Sequence, residues 1–286
     1  FNTFDGFLRS KPSADSVQNW IAEFPKDIPE SEALLIKDAA RLFNELHALP
    51  EPECDAVRKP VLSMSAGMKH FTGKKKERGE LRVRNLGELN AYCFFVAGVV
   101  GEMLTRLVRA RALDYRLTQS ELSRLKIASG ARFGLFLQKI NILKDQTGDE
   151  LSRRFFVHDR GEVLSSLKDD AEHAIAYLLS IPERMSSYRR FCAWALFLGL
   201  ATVPLLKMPE AKAPRKLPRT EALLLAARLE LEIKENAKLQ RFYSELAKKA
   251  FSDVGASASS FAREQDGIYD LYQGELSEAE FQQLLT

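Results

Sequence analysis

The sequence predicts an all-α protein. Three observations carry that prediction. Glycine and proline are scarce, 15 and 11 among 286 residues; at about 9% of the chain, against roughly 12% in average usage, turn signals are too sparse for many short strands. Apolar residues recur at helical spacing through most of the length. Neither a βαβ alternation nor a GxGxxG turn is present, which leaves no sequence sign of a dinucleotide-binding domain.

The elements follow in order. Ser31 is placed to cap a helix over 32–49, opened by Glu32-Ala33-Leu34-Leu35-Ile36 and stopped by Pro50. A loop carrying Pro50 and Pro52 leads to a helix over 61–71, and the basic run Lys74-Lys75-Lys76-Glu77-Arg78-Gly79 reads as a solvated loop. Helices over 86–112 and 118–149 come next, the second opened by a Thr118/Glu121 capping box. Two more cover 164–179 and 189–206. The stretch 207–219, with Pro209, Pro214 and Pro218, reads as a basic connecting loop, after which Thr220 caps a long helix to 251. The small, polar run SDVGASASS over 252–260 reads as a flexible link. Beyond it, Ser277 and Glu280 offer another capping box ahead of Phe281 and Leu284. The expected organisation is a single helical domain over 1–251, followed by a link and an acidic tail over 252–286.

Composition narrows the function. With 45% apolar and 28% charged residues the chain can build a large core. A net charge of +3 gives no global case for nucleic-acid binding. Cys54, Cys93 and Cys192 form no CxxC pair, which fits a reduced, cytoplasmic setting. His47, His70, His158 and His173 are scattered without HExxH, so zinc hydrolysis has no support. The longest uncharged apolar run, 191–206, contains Pro204 and falls short of the ~20 residues that span a bilayer. It reads as a buried helix. Peripheral contact with anionic lipid through Lys74–Lys76 is the alternative to a solvated loop there.

Chemistry concentrates in 133–149. The first half of this segment is apolar almost all round, the mark of a helix enclosed by others. Yet Gln138, Asn141, Asp145 and Asp149 fall at i, i+3, i+7 and i+11 and share one stripe. Buried amides and carboxylates are costly unless they face partners, water or a metal. Two carboxylates four residues apart on such a helix suggest a cavity and a Mg²⁺ held through oxygen ligands, water and substrate phosphates. Arg153 and Arg154 follow immediately, placed to grip diphosphate oxygens. The plain alternative is a helix whose end emerges into solvent.

These residues resemble the squalene/phytoene synthase family, the head-to-head trans-isoprenyl diphosphate synthases. Tyr92-Cys93-Phe94-Phe95-Val96-Ala97-Gly98-Val99-Val100-Gly101 resembles the family's YCxxVAGxVG helix. The segment from Gly134 to Asp145, with Asp149 and Arg154, resembles GxxLQxxNIxRDxxxD and its trailing arginine. Met64-Ser65-Ala66-Gly67-Met68 is similar to MGxGM, Phe191-Cys192-Ala193-Trp194 to FCAxP, and Arg219-Thr220-Glu221 to a short basic motif. The first aspartate-rich motif departs from the pattern: Asn2-Thr3-Phe4-Asp5-Gly6 has Asn2 and Gly6 where aspartates are expected. Lys144 stands for an arginine and Gly148 for an acidic residue. Family members carry helical sequence before that motif, so this chain is expected to be a piece that starts at it.

The resemblance implies an isoprenoid synthase-type bundle around a central apolar cavity, where two farnesyl or geranylgeranyl diphosphates ionise with Mg²⁺ and couple through a cyclopropyl intermediate. By the same resemblance Asp145, Asp149 and Asn141 would hold the metal, with Asp5 and Asn2 from the opposite wall. Gln138 and Asn141 would meet diphosphate or metal-bound water, and Arg154 would clamp phosphate. Tyr92 is the implied proton acceptor, and Tyr188 and Phe191 would shield cations with their ring faces. NADPH reduction of the intermediate is compatible with the resemblance and needs no motif of its own. The expected partners are prenyl diphosphates, not nucleic acid; the oligomeric state is open. Because the first motif is degenerate, a prenyl diphosphate phosphohydrolase and a silent assembly protein docking through 264–286 stand beside the synthase reading.

Overall fold

A computed structural model describes residues 1–207, 216–255 and 267–286. Four short helices come first: α1 (Asn2–Arg9), α2 (Ala14–Ala22), α3 (Glu30–Lys37) and α4 (Ala39–Ala48). The single helix expected over 32–49 is thus broken at Asp38, and its first half starts after Pro29 rather than at Ser31. The physical reason is burial: α3 buries none of its residues, so nothing in a core holds the two halves in line. Phe4, Phe7, Trp20 and Phe43 pack at 5.3–6.2 Å, mostly edge to face, around Leu8 and Val17. This small second core rests on Leu62 of α5 (Glu51–Arg78).

The 28-residue helix α5 is longer than the 61–71 that periodicity predicts. Pro50 and Pro52 serve its first turn instead of forming a loop. At the other end the basic run stays helical to Arg78 because two lysines find partners: Lys74 Nζ on Glu88 at 2.8 Å and Lys75 Nζ on the Ser152 carbonyl at 3.2 Å. Gly79, at φ +71°, then turns the chain. Directly after it β1 (Leu81–Arg82) pairs in parallel with β2 (Arg154–Phe155), Leu81 opposite Arg154 and Arg82 opposite Phe155.

The main core is built from α6 (Leu86–Cys93), a π turn (Phe94–Gly98), α7 (Val99–Ala110), α8 (Gln119–Arg124), α9 (Ile127–Leu151), α10 (Arg160–Ser180) and α11 (Ser186–Lys207). The Thr118/Glu121 capping box forms as expected, but it opens only α8, because the chain turns at Leu125–Lys126 and buries Leu125 completely. The central helix α9 packs on α10, on α7 with the π turn, and on α11. Its approach to α7 is set by glycines: a methyl group on Gly101 would overlap the Gly130 carbonyl, and one on Gly134 the Ala97 carbonyl.

Inside this packing sits a charged group. Lys139 and Asp170 are both fully buried and lie 2.5 Å apart, with Ser166 and Arg132 completing the network. After α11 come α12 (Arg219–Glu232) and α13 (Asn236–Phe251), two helices where sequence predicts one. Arg189 explains the division. Its buried guanidinium donates to the carbonyls of Leu178 and Ile181 at the end of α10 and of Ile233 at the end of α12, and to Asn236 Oδ1 at 2.8 Å.

Of the expected link and tail, residues 256–266 lie outside the described residues, as do 208–215 of the expected connecting loop. A 3₁₀ turn (Tyr269–Leu271) and α14 (Glu278–Leu285) are packed rather than loose. The Ser277/Glu280 capping box forms, Phe281, Leu284 and Leu285 are buried, and Asn90 Nδ2 donates to the Leu285 carbonyl at 3.1 Å. Two helical stretches, Leu86–Ala110 and Ser186–Lys207, are long and apolar enough to cross a membrane; roughly half of each lies buried in the bundle.

Removing one partner of a buried ion pair strands the other. Lys139→Met should therefore lower unfolding stability by about 3 kcal/mol or more in urea titration. Arg41→Ala, which breaks the exposed Arg41–Asp38 pair, should leave the midpoint unchanged.

Candidate active site

The stripe predicted on 138–149 exists, but its surroundings change along the helix. Gln138 is half-buried, Asn141 and Asp145 are exposed, and Asp149 is half-buried again. Lys144 Nζ lies 3.4 Å from Asn141 Oδ1 and 3.5 Å from an Asp145 oxygen. Asp149 Oδ1 lies 2.9 Å from Arg154 Nη2. Burial raises the Asp149 carboxyl above the ordinary carboxylate range; Arg154 pulls it down and the neighbouring Asp145 carboxylate adds to the rise.

Arg154 is positioned by the strand pair, since β2 carries it beside Leu81 at the foot of α5. Arg153, at φ +57°, is the residue that turns α9 into β2. Its side chain points away to Glu80, 3.9 Å off, so it does not join Arg154 on Asp149. Tyr92 completes this corner. Its ring is flanked by Phe71 and Phe156, with centroids 5.2 and 4.5 Å away. Desolvation pushes its phenol up to about 12, and Arg154 and Asp149 are near enough to act on it. The hydroxyl has no hydrogen-bond partner among the described residues, unlike an ordinary core tyrosine.

The other predicted wall lies elsewhere. Asn2 and Asp5 of α1 face α5: Asp5 Oδ1 accepts from Ser65 Oγ at 2.5 Å, and Asn2 Oδ1 accepts from Lys69 Nζ at 2.8 Å. Beside them is an apolar pocket of about 430 Å³ between α1, α2 and α5, lined by Phe4, Trp20, Phe24, Val61, Met64 and Met68 among others. The α9 acids are not among the residues that line this pocket. Along α5, Lys69 and Lys75 are six residues apart, roughly 9 Å of helix rise, so one helix links the two places.

Tyr188 and Phe191 belong to neither. Their rings stack at 6.4 Å, but the Tyr188 hydroxyl is engaged with Tyr177, which in turn bonds Thr105 at the level of Gly130. Gly130 and Asp149 are nineteen residues apart on α9, roughly 29 Å.

The two walls differ as metal sites. On α9, Asn141, Asp145 and Asp149 offer hard oxygen donors one turn apart, a set that suits Mg²⁺ completed by water. On α1 the carbonyl of Asn2 already receives an ammonium, and Gly6 has nothing to give. Among the described residues, Asn2 and Asp5 bond Lys69 and Ser65 rather than the α9 stripe. Among the described residues no three His, Cys, Asp or Glu side chains gather in a metal-binding group.

The sequence model of the squalene/phytoene synthase family matches residues 13–157, just over half of the chain. The chain belongs to the squalene/phytoene synthase family. That match contains Tyr92, Asp145, Asp149 and Arg154 and begins after residues 2–6. Among family members the chain is similar to squalene synthase of Ganoderma lucidum, 30% identical over 127 residues, covering 44% of this chain and 26% of that protein. It is also similar to squalene synthase ERG9 of Candida albicans, 30% identical over 151 residues, covering 52% and 32%. The chain spans about a quarter to a third of the length of the curated relatives it matches. The fold is like that of TcSQS solved with the ligand BPH1237: TM-score 0.64 at 18% identity, over 98% of this chain and 81% of that one.

Sequence reasoning missed Ser65, Lys69 and Lys75 as neighbours of the site residues. The signal was partly visible, since Ser65 replaces a glycine of the MGxGM pattern, but no spacing rule connects α1 to α5. The Tyr92 environment can be checked directly. Unfolded tyrosine ionises near 10 and Tyr92 near 12, so over pH 10–12 the unfolded chain binds fewer protons and stability falls as pH rises. Tyr92→Phe should flatten that fall in urea midpoints measured across this window; an unchanged slope would place the phenol in water.

Proposed function

We propose that this chain carries the α9 half of a prenyl diphosphate site and acts as a head-to-head prenyltransferase, joining two farnesyl or geranylgeranyl diphosphates. The observation that carries the reading is the convergence of Tyr92, Asp149 and Arg154 where α6, α9 and β2 meet, inside the part of the chain that matches the family. When bound by Asp145, Asp149 and Asn141, Mg²⁺ would withdraw charge from the diphosphate and assist departure of the leaving group.

The chain's own residues account for the remaining steps. Arg154, whose guanidinium already faces an anion, exchanges Asp149 for diphosphate oxygens and fixes the head group. Lys144 lies within reach of the same stripe and adds positive charge. Loss of diphosphate leaves an allylic cation, which the double bond of the second substrate attacks. The rings of Phe71 and Phe156 flanking Tyr92 present apolar faces that tolerate such a cation and exclude water. Tyr92, neutral at physiological pH, accepts the proton that the cation sheds on its unpartnered oxygen. A phenol suffices because a carbocation is a far stronger acid than its acceptor's conjugate.

A second reading is favoured by one observation. The Asp145 side chain is 59% exposed, so water reaches the stripe. Water that traps the cation gives a prenyl alcohol, and the chain would then be a prenyl diphosphate phosphohydrolase.

The test is incubation of purified protein with Mg²⁺ and farnesyl or geranylgeranyl diphosphate, with products resolved by mass spectrometry. A C30 or C40 coupled product is expected; free prenyl alcohol alone would support the second reading, and no turnover would favour a silent assembly role. Asp149→Ala and Arg154→Ala should each lower kcat/KM by on the order of 100-fold, with Arg154→Lys intermediate because a point charge replaces a fork. Full activity in Asp145→Ala and Asp149→Ala together would remove α9 from the chemistry.

A further inference from the structure

The α1 wall disagrees with a metal site, and the disagreement has a definite form. Both polar side chains of this wall already bond α5: Asp5 Oδ1 accepts from the Ser65 hydroxyl and Asn2 Oδ1 from the Lys69 ammonium, so Asp5 is the single charged ligand that α1 could offer a metal. A divalent ion placed on Asn2 would have to displace Lys69 and then sit beside its charge, with a neutral amide as recompense. Lys69, by contrast, is already a cation in place. Its ammonium carries three donors, its stem rises from a helix, and its partner among the described residues is Asn2. Along α5, Met64, Ser65 and Met68 open onto the apolar pocket shared with Phe4, Trp20 and Phe24. Lys69 and Asn2 each directly follow a residue that lines it, Met68 and Phe1, and a positive charge beside an apolar pocket suits an amphiphilic anion.

We propose that the α1 wall binds no metal, and that Lys69, oriented by Asn2, supplies the positive charge there by donating directly to a diphosphate oxygen. This rests on the prenyl diphosphate reading above and adds to it that diphosphate binding has a component independent of Mg²⁺. Asn2 is a positioning residue in this arrangement. Its carbonyl holds the ammonium beside the pocket without neutralising it, as an aspartate there would.

Calorimetric titration of the whole chain with farnesyl diphosphate, in EDTA and in Mg²⁺, tests the proposal without relying on turnover. The wild-type protein should bind in both. Lys69→Met should weaken binding in EDTA by at least about tenfold, the scale of a lost charge-assisted hydrogen bond, and Lys69→Arg should restore most of it. Mn²⁺ titration should give a stoichiometry unchanged by Asn2→Ala, whereas Asn2→Asp combined with Lys69→Ala should gain one ion per chain. Binding in EDTA that Lys69→Met leaves intact would overturn the proposal, as would an Mn²⁺ ion lost on Asn2→Ala. Wild-type binding in Mg²⁺ but none in EDTA would overturn it while leaving the prenyl diphosphate reading standing. No wild-type binding under either condition would overturn both.

Discussion

The approach of α9 to α7 is the constraint on which the rest of the molecule depends. Gly101, Gly130 and Gly134 bring the two backbones into contact without side chains between them, and that proximity leaves α9 enclosed for four turns. A helix so enclosed cannot send a long charged side chain to water, so Lys139 must be answered inside. Asp170 and Ser166 answer it from α10, with Arg132 shared between Asp170 and the carbonyl of Gln283. The same few residues thereby tie α9, α10 and α14 together. The network offers specificity of arrangement more than net stability, since burying two charges costs nearly what their attraction returns.

From this the candidate site inherits its character. The last turns of α9 leave the enclosure, and the amides and acids of the stripe appear where the helix emerges. Asp149 stays half-buried because Arg154 and the strand pair fold back over it. The corner is a margin between core and solvent, exposed at Asp145 and half-buried at Tyr92. Such a gradient sets carboxylate oxygens in water and the Tyr92 ring against the buried Phe71 and Phe156.

Legibility from sequence divided along physical lines. The all-α class and both capping boxes follow from local rules, and all appear. The buried reading of 191–206 holds because α11 packs on α9 and α13. Tyr92, Asp149 and Arg154 lie together at one corner. What failed was whatever depended on a partner distant in sequence. The run 74–78 stays helical because Glu88 and Ser152 hold its lysines, and the break at 233–235 exists because Arg189 needs those carbonyls. The contacts of α1 are of the same kind: Asp5 with Ser65 and Asn2 with Lys69 join residues sixty or more positions apart, and nothing in residues 2–6 announces them.

The parallel clip between Leu81–Arg82 and Arg154–Phe155 is only two residues long, yet it closes a loop of about 70 residues. Loop closure of that length carries an entropic cost that so short a ladder barely offsets. The clip therefore depends on the docking of the helices it spans, α6, α7 and α9, which shortens the effective distance. Arg154 sits on that clip, beside Asp149. The corner around Tyr92 thus borrows its closure from the bundle rather than from its own two-residue ladder.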